Sequence, residues 1–95
     1  MIGKKPITEY EKQENDLLID LRDRTVFAFG TLPEAENIPM DEIGKLYSLP
    51  RDKRIVLFCQ QGDLSEEIAE LLDDNGYQVL DLTGGYREWI VRRFI

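Results

Sequence analysis

Histidine is absent from this sequence, and cysteine and tryptophan occur once each, as Cys59 and Trp89. Without histidine there is no Ser-His or Cys-His pair and the commonest metal ligand is missing, so hydrolase triads and zinc sites are poorly supported. Neither a metal nor a cofactor is expected. A lone cysteine excludes an internal disulfide and any mechanism that needs a second, resolving cysteine in the same chain. Apolar runs are short, none near the roughly 18 residues of a membrane span. The start, Met1 to Pro6, lacks the apolar core of a signal peptide. The expectation is a cytoplasmic protein with no membrane partner.

Positive charge is also scarce. Twelve Lys and Arg stand against 19 Asp and Glu, a net charge of −7, which disfavours nucleic acid and anionic membrane surfaces as partners. Between Arg54 and Arg87 there is no basic residue, while Asp63, Glu66, Glu67, Glu70, Asp73, Asp74 and Asp81 supply carboxylates.

What is present fits one domain over residues 1–95, a length that buries roughly two thirds of its unfolded surface. Residues 1–6 read as a loose arm ending at Pro6. Thr8 with Glu11 has the spacing to cap a short helix. Leu17 to Leu21 read as a buried strand, with Asp20 and Arg22 at its end. Asp23 caps a brief predicted helix through Val26, Phe27 and Phe29, stopped by Gly30. Glu36 to Ile38 predict a short strand, and Asp41 a helix carrying Ile43, Leu46 and Leu49, closed by Pro50. Asn75-Gly76 is a helix stop, Tyr77 to Leu82 the last strand, and Gly84-Gly85 a tight turn with positive φ. The final helix carries Tyr86, Trp89, Ile90 and Phe94. Strands alternating with helices argue for an α/β fold, a mostly parallel sheet of about five strands flanked by helices on both faces.

The most informative stretch surrounds the cysteine. Ile55 to Phe58 form a continuous apolar run, as expected of a strand buried on both faces. After Cys59 comes a tight loop with Gly62, then a helix with Leu64, Ile68, Leu71 and Leu72 on its apolar face and a capping-box spacing at Asp63 and Glu66. The sulfur thus lies between the carboxyl end of a strand and the amino end of a helix. The unpartnered N–H groups and dipole there favour negative charge, hence the thiolate, which is the reactive form.

The chain resembles the rhodanese-like sulfurtransferases over nearly its whole length. The resemblance is carried by Leu18-Ile19-Asp20-Leu21-Arg22, Gly30 to Pro39, Cys59 to Ser65, Gly76-Tyr77 and Gly84-Gly85-Tyr86-Arg87-Glu88-Trp89. It implies that Cys59 heads an active-site loop and takes a transferable sulfur as a persulfide. It implies further that Gln60, Gln61, Gly62, Asp63, Leu64 and Ser65 form a cradle acting mainly through backbone N–H groups. It also implies that Asp20 and Arg22 converge on the loop in support. The partners so implied are a small sulfane-sulfur donor or persulfide, and a sulfur-relay protein.

The loop departs from the commoner family pattern, which often carries Arg or Lys where this chain has Gln60, Asp63 and Leu64; Thr31 stands where the family often has His. Weak activity toward thiosulfate is the expectation. Arg22 is the best-placed side chain to restore positive charge, Arg87 a weaker one, although a buried ion pair with Asp20 or Asp23 is the equal alternative for Arg22. A cysteine phosphatase is disfavoured because the arginine its loop needs six positions on is here Ser65. Gly62 and Gly84-Gly85 form no nucleotide-binding fingerprint. Two structural alternatives remain: Cys59 as a small buried hydrophobe, and a catalytically weak module that docks a partner protein.

Overall fold

The computed structural model describes residues 2–94. Its strands are β1 (Ile2–Pro6), β2 (Asp16–Asp20), β3 (Glu36–Asn37), β4 (Arg54–Phe58) and β5 (Gln78–Thr83); its α-helices are α1 (Arg24–Phe29), α2 (Asp63–Asp74) and α3 (Gly85–Arg93). The strands form one sheet in the order β1-β5-β4-β2-β3, every pair parallel.

The sheet is covered on both faces because β4 in its centre is apolar in both directions. Ile55 and Leu57 face a cluster with Ile19, Ile68, Ala69 and Leu72, beneath α2. Val56 and Phe58 face the other way, onto Leu18, Leu80 and Leu82, with Tyr86 and Trp89 of α3 packed against them. Ile55, Val56, Leu57 and Phe58 are 0% exposed. At about 1.5–3 kcal/mol per fully buried large apolar side chain, β4 alone outweighs any surface interaction in the molecule.

Residues 2–6 of the expected loose arm form β1 instead, paired in register from Ile2–Val79 to Pro6–Thr83, and Met1 lies outside the described residues. A glycine, two lysines and a proline conceal a strand from apolar patterning, yet an edge position tolerates all of them. The Thr8 cap is likewise replaced by a 3-10 turn, Ile7–Glu9, that follows Pro6 and makes no side-chain cap bond. The helix predicted after Asp41 is a run of 3-10 turns over Met40–Ser48, with Glu42 outside helical backbone angles. The interruption at Glu42, φ −120° and ψ 21°, divides the segment into two short turns, and the bracketing Pro39 and Pro50 leave no room to extend either.

Asp23 and Gly30 do flank α1, and Asn75 ends α2. Leu71 and Phe94, assigned above to apolar faces, are 45% and 83% exposed. Among the described residues no helix is long and apolar enough to cross a membrane.

Candidate functional site

β4 delivers Cys59 to the carboxyl end of the sheet, where α2 begins. The turn between them depends on Gly62, whose φ of +99° is left-handed, a region that glycine enters at little cost. Through this turn the Gly62 N–H donates to Cys59 Sγ at 3.2 Å and the Ser65 N–H donates at 3.3 Å. The Ser65 hydroxyl donates to the Gly62 carbonyl at 3.2 Å and closes the loop on itself. Two donors and the start of a twelve-residue helix therefore meet at one sulfur atom.

The backbone carbonyls of the same loop are held from the opposite side. Tyr86 N–H donates to the Cys59 carbonyl at 2.8 Å, and Arg87 N–H to the Gln60 carbonyl at 3.0 Å. The first turn of α3 thus satisfies the loop's acceptors and leaves its donors turned toward the sulfur. Gly84 and Gly85, at φ +86° and +69°, make that approach possible.

Of the six cradle residues expected, Gly62 and Ser65 are the ones whose N–H groups reach Sγ. Gln60, Gln61, Asp63 and Leu64 line the cavity beside Cys59, about 460 Å³ in volume, without donating to the sulfur. Asp63 is not the helix cap. The turn at Gly62 starts α2 one residue earlier than expected, so Gly62 is the N-cap, and the Asp63 carboxylate accepts from Leu64 N–H at 2.9 Å. Glu66, the other half of the expected capping box, accepts from Lys4 at 3.1 Å.

Asp20 and Arg22 come to this end of the sheet and are joined to each other. Asp20 is 0% exposed and takes Arg22 Nε at 3.0 and 3.1 Å, a terminal guanidinium nitrogen at 2.7 Å, the Arg22 backbone N–H at 2.9 Å and the Thr31 hydroxyl at 2.7 Å. The guanidinium also donates to the Gly30 carbonyl at 2.6 Å and stacks over the Tyr86 ring at 3.8 Å. The ion pair with Asp20 is the alternative that holds, and Arg22, although it borders the Cys59 cavity, has its fork committed. Thr31 contributes a neutral hydroxyl to this cluster.

Val26 and Met40 also line the Cys59 cavity, and Tyr86 carries the arginine. Their part in the site has no local signature, because an apolar or aromatic residue at a rim has the same pattern as one in a core. Among the described residues no cluster of acidic or cysteine side chains could hold a metal ion.

The model of the rhodanese-like domain matches residues 6–91. The chain belongs to the rhodanese-like family. This rhodanese-like chain is 34% identical over 80 residues to a putative sulfurtransferase of Bacillus subtilis, YtwF, covering 83% of this chain and 78% of that one. It is 35% identical over 78 residues to a sulfurtransferase of Allochromatium vinosum, covering 80% and 73%. A human relative named thiosulfate:glutathione sulfurtransferase is 34% identical over 89 residues, 77% of each chain. Among solved structures, a rhodanese-related protein of Thermoplasma volcanium superposes with a TM-score of 0.76 at 30% identity, over 83% of this chain and 80% of that one. With relatives so named, the chain falls among rhodanese-like sulfurtransferases.

Proposed function

We propose that this rhodanese-like chain carries sulfane sulfur as a persulfide on Cys59. The observation that carries the reading is the pair of N–H groups, from Gly62 and Ser65, directed at Sγ beside an open cavity. In the first half-reaction the Cys59 thiolate attacks the outer sulfur of a persulfide R–S–SH; a Cys59–sulfur bond forms, the donor S–S bond breaks, and R–S⁻ leaves with the electron pair. The proton stays on the transferred sulfur. In the second, an acceptor thiolate attacks that sulfur and Cys59 leaves as thiolate, stabilised by the same two donors.

A persulfide donor fits this site better than thiosulfate. The cavity is bordered by Asp23 and Asp63, its one cation is Arg22, and that guanidinium is spent on Asp20 and Gly30. Slow loading by thiosulfate follows from this reading. A small thiol is a suitable acceptor, in keeping with the thiosulfate:glutathione activity named for the human relative; a sulfur-relay protein is the macromolecular counterpart. The setting is a reducing one, the cytoplasm, in which Cys59 returns to thiolate between turnovers.

The test is intact mass after incubation with a small persulfide and, separately, with thiosulfate. A gain of one sulfur atom, absent in Cys59→Ser and reversed by excess thiol, supports the carrier. A protein that loads from neither donor would instead be a docking module, a reading favoured by Phe29, 94% exposed beside the site.

A further inference from the structure

A second cavity, about 340 Å³, adjoins the one that holds Cys59; Arg22, Val26 and Gln60 border both. Its remaining wall is largely apolar, from Phe29, Tyr86, Ile90 and Val91, with one further cation, Arg87. Among the described residues Arg87 forms no ion pair, and its backbone N–H is anchored to Gln60 of the Cys59 loop at 3.0 Å. The cation without a carboxylate partner, Arg87, and the reacting sulfur thus lie in neighbouring cavities. The carboxylates Asp23 and Asp63 border the Cys59 cavity but not the second one. A compact dianion, whose sulfur and charge are one group, cannot use both cavities at once. A molecule with its sulfur at one end, a short carbon body and a carboxylate at the other can.

Resting on the sulfur-carrier reading above, we infer that the cavity between α1 and α3 binds the carbon body of a carboxylate-bearing low-molecular-weight thiol, with Arg87 selecting the carboxylate. The thiolate of this acceptor attacks the outer sulfur of the Cys59 persulfide, forming its own S–S bond and releasing the Cys59 thiolate, while the proton stays on the transferred sulfur.

The protein is loaded with inorganic polysulfide, freed of excess reagent, and discharged with 3-mercaptopropionate or 2-mercaptoethanol at equal thiolate concentration, the loss of sulfur being followed by intact mass. The carboxylated thiol is expected to be faster by on the order of threefold, as suits one exposed ion pair. That preference falls toward one in Arg87→Gln and at high salt, and persists in Arg92→Gln on the same helix. Equal rates in the unaltered protein, or a preference that survives Arg87→Gln, overturn the inference while the sulfur carrier stands. A Cys59 that never gains sulfur overturns the carrier reading and this inference with it.

Discussion

Gly85 stands so close to Gln60 that a β-carbon on it would lie 2.5 Å from the Gln60 carbonyl oxygen and 2.8 Å from that of Cys59. All of these contacts are backbone, so the clash cannot be relieved by turning a side chain, and φ at Gly85 is +69°. Gly85→Ala is therefore expected to push α3 off the loop and unsettle the carbonyls whose fixation aims the donors at Sγ. The expected cost is more than about 2 kcal/mol of stability. Persulfide loading should fall on the order of 10²-fold, as for a reacting group displaced by about 1 Å. Urea unfolding and intact mass measure the two; a variant that loads at the native rate contradicts the account of the loop.

Arg22 gives a second case. Arg22→Lys keeps the charge and loses the planar fork that spans Asp20 and Gly30, so a loss of about 1–3 kcal/mol is expected. Arg22→Met leaves a carboxylate buried without its countercharge and should cost more, about 3–5 kcal/mol. Urea midpoints in that order support a structural arginine; a destabilisation near zero for Arg22→Met does not.

Asp16 predicts a pH dependence. Burial works against its ionised form, but Arg54 at 2.7 and 2.9 Å, the Tyr10 hydroxyl at 2.7 Å and the Gln13 N–H at 3.1 Å outweigh it and hold the carboxyl below its ordinary 3.8. An acid with a depressed folded value stabilises the fold above 3.8 and loses that contribution as pH falls through the folded value. Asp16→Asn should be less stable by about 2 kcal/mol at neutral pH, and the gap should narrow below pH 3.8. Denaturation at a series of pH values shows whether it does.

Asp81 should behave in the opposite sense. It is 1% exposed, and neither oxygen accepts a hydrogen bond of ordinary geometry. Burial raises its pKa; the nearby Ser65 hydroxyl and Lys4, 3.9 Å away, work the other way, and Glu66 adds to the rise. The folded state therefore binds this proton more tightly than the unfolded chain, and stability is lost as pH climbs from 3.8 through the raised folded value. In Asp81→Asn that loss disappears, so its stability relative to the native protein should rise over this window and then level off. A constant difference across the window rules out the titration of Asp81.

Much of the fold was legible because its signals are local. Ile55 to Phe58 have the continuous apolar pattern expected of a strand buried on both faces, Leu64, Ile68 and Leu72 repeat at a helical period, and Asn75-Gly76 and Gly84-Gly85 punctuate. β1 was illegible because its stability comes from β5, far away in the chain, and not from its own residues. The 3-10 run at Met40–Ser48 and the shifted start of α2 turn on backbone angles at Glu42 and Gly62 that residue type does not dictate. At the site the sulfur and its loop followed from strand, glycine and helix in succession. Which N–H groups reach the sulfur, and whether Arg22 chooses Asp20 or Asp23, depend on three-dimensional approach and did not.

The two margins of the sheet are poor templates for another chain. On one side, β1 carries the exposed Lys5 and, at Pro6, a ring with no N–H to offer. On the other, β3 is two residues long, too short to register an incoming strand. An all-parallel sheet with an apolar centre would otherwise invite edge-to-edge growth into aggregates. The lysine, glycine and proline that deprive β1 of an apolar pattern also make it a poor template for a second copy.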